Sequence, residues 1–342
     1  LKNEVRVERD QRWFDSVQPN LRWGDCEGAE CPTWERCLGQ WGGNDPTWSE
    51  LLERFMAYVM MGEREFAKWM LMCGKIRSGK GSVLRVLQGL MGGKSAPGYF
   101  GTSLDDLSSG FGLAGAQHAR LIAVSEVSKI DRLRGETISR VVKNVMGRDP
   151  LSVNAKYKDA ISVTLPATVV MQSNEIPELP NKGRGLSSKM LVLPFDHSFE
   201  GKEDYALPYK LERELPGIMR RVVEAGKRLC KEMDPKRKFV EPESAGERWE
   251  DYHIKNHPID EFLKARFSQN PSNLVSIDLL WSQWAMWKKK VNDPLDIPNK
   301  ATLSRMIKQE SSWDVKSVRR QVNGARRSYL QGIALKVEFD EA

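Results

Sequence analysis

The segment Gly74–Ser82 constrains the fold of this chain more than any other, because it reads Gly-Lys-Ile-Arg-Ser-Gly-Lys-Gly-Ser. It has the spacing of a phosphate-binding loop, with four residues between two glycines and a lysine directly after the second. The apolar run Lys68–Cys73 predicts a strand before the loop, and the pattern of Gly81–Met91 predicts an amphipathic helix after it. A strand that enters such a loop and a helix that leaves it are typical of an α/β domain.

The residue types of this loop suit contact with a triphosphate. Gly74 and Gly79 permit a backbone path on which successive N–H groups point at phosphate oxygens. The helix that begins near Lys80 directs the positive end of its dipole at the same anion. We expect Lys80 to contact the β and γ phosphates. The other residues that we expect to line the nucleotide are Arg77, Ser78, Gly81 and Ser82.

Gly81 departs from the usual pattern, because a Ser or Thr normally follows the lysine and supplies a hydroxyl ligand to Mg²⁺. Ser82 carries the nearest hydroxyl, one residue later. We therefore expect Ser82 or water to take that place in the coordination of the metal. ATP and Mg²⁺ are the ligands that the loop predicts.

A second predicted strand, Leu121–Val124, ends in Ser125 and Glu126. An ATPase of this kind needs a carboxylate on a neighbouring strand, where it holds Mg²⁺ and prepares the attacking water. Glu126 fits both roles, as general base and as metal ligand. The alternative interpretation is an acid that caps the following helix.

A third predicted strand, Ala167–Gln172, is followed by Ser-Asn-Glu-Ile-Pro. An amide at the tip of a buried strand can hydrogen-bond both the terminal phosphate and the attacking water, and Asn174 fits this sensing role. Taken alone, Asn174 is equally a turn residue ahead of a proline. A fourth strand is predicted at Met190–Phe195.

Taken in order, these motifs resemble the superfamily 3 helicases, a branch of the AAA+ ATPases, and most narrowly the primase-helicases of phages, plasmids and poxviruses. The likeness covers about residues 45–230 and includes the segments Val142–Val163 and Gly185–Phe195. It implies an ATP-driven replicative DNA helicase that works as a ring of identical subunits, usually a hexamer, on single-stranded or forked DNA. It further implies a fused or associated primase or polymerase, and the cytoplasm of a host cell as the location.

The resemblance also assigns a DNA contact between the acid and the sensor. In the family a β-hairpin at this position projects into the ring channel, and Gly147–Lys158 matches its pattern. Lys156, Tyr157 and Lys158 would then contact DNA, since cations that flank an aromatic ring suit phosphate contact and stacking. A solvated hairpin tip is the alternative interpretation.

A cation supplied by the neighbouring subunit is a further implication of the resemblance. The family's arginine finger corresponds to Lys189, which keeps the charge but lacks the planar fork of arginine. Arg184 is the other candidate for this role. Either residue requires an oligomer, because a finger reaches the active site from another subunit.

Composition and hydrophobic patterning divide the sequence into four segments. We expect a Trp-rich region that ends in a helical subdomain at 1–70, an ATPase domain with a mainly parallel sheet at 71–233, a charged linker at 234–255 and a winged-helix-like domain at 256–342. For the last segment, helical patterns at Ile259–Phe267, Ile277–Lys290 and Thr302–Glu310 precede a predicted strand pair around Gly332. We expect the tryptophans to serve packing rather than base stacking.

Charge and cysteine content narrow the class of protein. The formal net charge of +7 mildly favours a polyanionic partner, and the five cysteines, an odd number, indicate a reducing compartment. Cys26, Cys31 and Cys37 lack the paired spacing of zinc ligands. No run approaches the roughly 18 apolar residues of a membrane span. Because the chain begins with Leu1, we expect it to be a module of a longer polypeptide.

Three features leave alternatives open. Gly81 and Lys189 also suit a nucleotide-gated DNA-binding initiator or loader that assembles on DNA without processive unwinding. An ATPase that acts on protein is a third interpretation, although no aromatic pore-loop motif supports it. The C-terminal cations could bind duplex DNA, form a lid or simply face solvent. These cations are Lys316, Arg319, Arg320, Arg326 and Arg327.

Overall fold

The computed structural model describes residues 21–62, 66–93, 96–108, 113–127, 132–153, 161–179, 185–291, 297–322 and 324–336. The described residues as far as Leu179, together with Gly185–Trp249, form one compact unit, and those from Glu250 onward form a second. Among the helices of these ranges, none is both long and apolar enough to cross a bilayer.

The first unit opens with helices and continues with alternating strands and helices. Its helices are α1 Trp23–Cys26, α2 Pro32–Trp41, α3 Pro46–Met61, α4 Lys80–Leu90, α5 Leu104–Ser108, α6 Arg132–Gly147, α7 Leu207–Arg213, α8 Leu215–Lys231, α9 Pro235–Lys238 and the start of α10 Ala245–Asn256. Its strands are β1 Trp69–Gly74, β2 Tyr99–Thr102, β3 Leu121–Val127, β4 Leu151–Val153, β5 Ile161–Val163, β6 Thr168–Ser173 and β7 Met190–Phe195.

Five of these strands form one sheet in the order β2-β3-β6-β1-β7, and every neighbouring pair is parallel. All residues of β1 and β7 are buried. Strands covered on both faces have continuous apolar sequences, which is why β1, β6 and β7 are recognisable without the structure. The expected α/β class with a central parallel sheet is confirmed. The edge strand β2 was missed because it has four residues and is only partly buried.

The N-terminal helices share a hydrophobic core with one face of this sheet. α3 begins as its sequence predicts, because Asp45 caps it by accepting a hydrogen bond from the Thr47 amide at 2.8 Å. The expected packing role of tryptophan is confirmed for four residues that are at most 3% exposed, whereas Trp23 is 45% exposed and Trp13 lies outside the described residues. The four are Trp34, Trp41, Trp48 and Trp69.

The segment 234–255, expected to be a linker, contains α9 and most of α10. Glu241 lies between these helices, and its carboxylate accepts hydrogen bonds from the Val192 amide at 2.6 Å and from the Trp249 indole at 3.0 Å. Because β7 is an edge strand, Glu241 satisfies a backbone donor that has no strand partner. Burial raises the pKa of this carboxyl group.

The second unit has a helix, a strand, two helices and two strands in chain order, an order typical of winged helices. Its elements are α11 Pro258–Arg266, β8 Phe267–Ser276, α12 Ile277–Val291, α13 Lys300–Glu310, β9 Lys316–Val322 and β10 Ala325–Leu335. They form a separate hydrophobic core and an antiparallel sheet in the order β8-β10-β9.

One strand of this unit was missed, and one expectation was wrong. The polar strand β8 was not predicted, and the strand pair does not turn at Gly332. Gly332 lies within β10 at a register shift, has a φ of 110° and approaches the backbone of Asp314. The chain reverses instead near Gly324, where Val322 pairs with Ala325. A glycine that permits a bulge resembles a glycine that permits a turn, which is why the sequence was misread.

The buried carboxylate of Glu53 allows a test of how the helices are held together. Glu53 is 2% exposed, and its Oε1 accepts hydrogen bonds from the Trp34 indole at 3.2 Å and from Arg221 Nε at 2.6 Å. Glu53→Gln should lower the free energy of unfolding by about 1–3 kcal/mol, because it replaces charge-assisted bonds in a buried position. Urea denaturation measures this change.

Glu35→Gln is the matched control, since Glu35 pairs with the same guanidinium but its side chain is 54% exposed. An exposed pair contributes at most about 1 kcal/mol. Equal effects of the two substitutions would contradict the assignment of Glu53 as the anchor of Arg221.

Candidate active site

The loop between β1 and α4 has a backbone that few sequences permit. Gly74, Arg77 and Gly79 have positive φ values of 149°, 52° and 102°. A Cβ atom on Gly74 would lie 2.2 Å from the Phe195 carbonyl oxygen, and one on Gly79 would lie 2.3 Å from the Trp41 indole nitrogen. Glycine is therefore required at both positions, and the non-glycine residue Arg77 carries about 1–2 kcal/mol of backbone strain.

Lys80 occupies the concave side of this loop and is 8% exposed. Its Nζ donates to the Gly74 carbonyl at 2.8 Å, to the Lys75 carbonyl at 2.6 Å and to Ser78 Oγ at 3.2 Å. All three donors of the ammonium group are thereby engaged by the loop itself. Burial lowers the pKa of Lys80.

The backbone N–H groups of the loop, unlike the Lys80 ammonium group, mostly lack acceptors within the described structure. Lys75 donates to the Phe195 carbonyl at 2.9 Å, and Ser82 and Val83 donate to the Gly79 carbonyl. The six consecutive N–H groups of residues 76–81 donate to no acceptor among the residues that the structure describes. Backbone donors normally find a partner, and a run of unengaged amides at a helix N-terminus is the arrangement that binds phosphate oxygens.

The segment that follows β7 braces the outer side of the loop. Ser198 Oγ donates to the Ile76 carbonyl at 2.9 Å, and the Phe199 amide donates to the Arg77 carbonyl at 3.0 Å. The Arg77 guanidinium forms an ion pair with Glu203. Arg77, expected to line the nucleotide, thus has its side chain on the outer face of the loop. No local pattern of residues indicates this brace, which arises because β7 runs parallel to β1 and ends beside it.

The register of the sheet places the other expected residues of the site at the same edge. Cys73 pairs with Ser173 and Ser173 pairs with Val127, so β6 lies between β1 and β3. Asn174 directly follows β6, the strand that pairs with β1, and it is exposed. Glu126 lies within β3, two strands or about 10 Å from β1, although its side chain lies outside the described part.

Lys189 does not lie at the loop between β1 and α4. It belongs to a short 3-10 turn, Ser187–Lys189, that precedes β7, and the next residue, Met190, pairs with Trp69 at the start of β1. Lys80 is beyond the opposite end of β1, about 17 Å away along the strand. Arg184 lies outside the described residues.

The expected DNA-binding hairpin is partly described. β4 and β5 pair antiparallel, with Leu151 opposite Val163 and Val153 opposite Ile161. Lys156, Tyr157 and Lys158 fall between these strands, outside the described residues. A two-stranded connection therefore joins α6 to β6, the strand that Asn174 follows.

Comparisons with known proteins agree with this fold. Residues 72–186 match DUF5906, a family of unknown function, so the match extends from β1 to the turn before β7. The apo A form of the NrS-1 C-terminal region is 13% identical, with a TM-score of 0.57, and the match covers 88% of this chain and 75% of that one. The apo structure of NrS-1 residues 305–718 is 12% identical with a TM-score of 0.58 and the same coverage. At this identity the likeness concerns the fold.

Two glycines of the loop provide a matched test of its geometry. Gly79→Ala should weaken the Mg-ATP binding that the loop's spacing predicts by about tenfold or more, because a side chain is strained at φ 102° and meets the Trp41 indole. Gly81→Ala should leave affinity within about twofold, since a Cβ there meets no atom within 4 Å and alanine favours the helix. Calorimetric titration measures both affinities. A larger loss for Gly81→Ala would contradict the described backbone.

Proposed function

We propose that this chain is the ATP-hydrolysing motor of a DNA helicase and that Gly74–Ser82 binds the triphosphate. The observation that carries the proposal is the set of six unengaged amides that surround the buried Lys80. Phosphate oxygens would accept from these amides, and the ammonium group of Lys80 would exchange its bonds to the loop for bonds to phosphate. The resemblance to superfamily 3 helicases and the shared fold support the assignment to this class.

The residues near the loop fit a magnesium ion. Ser82 lies in the first turn of α4, half buried, and its hydroxyl makes no hydrogen bond with the described part of the chain. Ser82 and Glu126 would hold Mg²⁺, because hydroxyl and carboxylate oxygens suit this cation. The ion, when bound, neutralises charge that develops on the transferred phosphate.

The remaining residues have distinct roles in this proposal. Glu126 would accept a proton from the attacking water, and Asn174 would orient that water against the terminal phosphate. Both act at the edge of the sheet where the loop begins, since β3, β6 and β1 are consecutive neighbours. Oriented side chains and amides on the ends of rigid strands give the site its preorganisation.

The position of Lys189 supports the proposal that the chain assembles into a ring. A side chain about 17 Å from its own loop cannot contact the same nucleotide, but it can reach the loop of an adjacent subunit. We propose a homo-oligomer, with six subunits as the expected number, in which Lys189 or Arg184 supplies the cation. The hairpin of β4 and β5 would face the central channel and contact single-stranded DNA through Lys156, Tyr157 and Lys158.

Two substitutions separate nucleotide binding from hydrolysis. Lys80→Ala should remove ATP binding and hydrolysis together, whereas Glu126→Gln should retain binding and lower DNA-stimulated hydrolysis by at least about 100-fold. Phosphate release and nucleotide titration measure the two properties. Lys75→Ala is the matched control, because this neighbouring lysine is exposed and should leave hydrolysis within about threefold. Normal hydrolysis by Lys80→Ala would overturn the proposal.

Strand displacement on forked DNA distinguishes a helicase from an initiator that only assembles on DNA. The helicase proposal predicts ATP-dependent displacement that Glu126→Gln abolishes. Hydrolysis that DNA stimulates without any displacement would instead favour the initiator. Hydrolysis that does not respond to DNA would exclude both and favour an ATPase that acts on protein.

A further inference from the structure

The hairpin of β9 and β10 extends beyond the rest of the winged-helix sheet. β8 pairs with β10 only as far as Tyr329, opposite Ser276. Beyond Tyr329, as far as Ala325, the hairpin consists of β9 and β10 alone, a two-stranded ribbon about 13 Å long. We call residues 318–322 and 325–329 the wing.

Four arginines of the wing lie on both of its faces. Arg320 is directly opposite Arg327, so both side chains point to one face. Arg319 is opposite Ser328, and Arg326 is opposite Gln321, which places these two arginines diagonally on the other face. All four side chains are exposed.

This distribution of positive charge destabilises the folded hairpin. Like charges directly opposite each other destabilise a strand pair. None of the four arginines has an ion-pair or hydrogen-bond partner within the described ranges. One of the four, Arg327, acts weakly on Asp278 at the start of α12: Lys300, and to a lesser degree Arg327, lowers the pKa of the Asp278 carboxyl group. Asp278 is already paired with Lys300.

We propose that the wing binds duplex DNA by entering the major groove, where its two faces meet the phosphates of the two strands. The major groove is about 12 Å wide and admits a two-stranded β-ribbon. A ribbon with cations on both faces matches a groove with a row of phosphates on either side, whereas a single strand offers one row. The major groove of A-form RNA is too narrow and deep for side chains to reach its bases. This site is separate from the proposed ATPase site and does not depend on it.

Binding of fluorescent DNA to the full chain, without nucleotide, tests the proposal by anisotropy. Arg320→Gln with Arg327→Gln should weaken binding of a blunt 20-base-pair duplex on the order of tenfold, and reduce the slope of log affinity against log salt by about 2. Arg319→Gln with Arg326→Gln should have a similar effect. Binding of a single strand of the same sequence should stay within about twofold. Duplex RNA should bind more weakly than duplex DNA.

Lys289→Gln with Lys290→Gln is the control for net charge. These exposed lysines lie in the last turn of α12, about 17 Å along the helix from Asp278, and should leave duplex affinity within about twofold. An equal loss in the control, an equal loss for single strands, or unchanged duplex affinity in both wing variants would each overturn the proposal. Thermal unfolding confirms that each variant is folded, and the two independent wing pairs keep the test valid if one pair disturbs the hairpin.

Discussion

The hydrogen bonds from the Lys80 ammonium group to the Gly74 and Lys75 carbonyls are the interaction on which the site depends. They draw the carbonyls toward the lysine, while the amides of residues 76–81 donate to no acceptor in the described structure. One buried cation and six donors thus form a concentrated positive region at the start of α4. The proposed triphosphate would compensate all of these groups at once, because each of its oxygens can accept from several donors.

The loop keeps this shape because distant parts of the first unit pack against it. Phe195, at the end of β7, approaches Gly74 so closely that no side chain fits there, and Trp41, at the end of α2, does the same at Gly79. The indole of Trp48 donates to the Pro194 carbonyl at 2.6 Å and fixes β7 to the N-terminal helices. Proline is tolerated at this position because β7 is an edge strand. The N-terminal helices are therefore part of the support of the site.

Most elements near the site were predictable from runs of apolar residues and from the spacing of glycines. The bounds of β1, α4, β6 and β7 were predicted within one or two residues. The sequence could not predict contacts that depend on the order of the strands in the sheet. The brace from Ser198 and Glu203, and the outward position of Arg77, arise because β7 lies beside β1 although more than 100 residues separate them. The turn of the β9–β10 hairpin was wrongly predicted at Gly332 for a different reason. A glycine at a bulge and a glycine at a turn have the same conformational requirement.

Amide hydrogen exchange at residues 76–81 tests the central claim most directly. Saturating Mg-ATP should slow exchange at these amides, because each would donate to phosphate, while the wing keeps its rate and Lys80→Ala abolishes the effect. The interior of α4, already hydrogen-bonded, should change less. Saturable ATP binding that leaves exchange in the loop unaltered would show that the triphosphate is held elsewhere, and the account of this chain as a P-loop motor would be wrong.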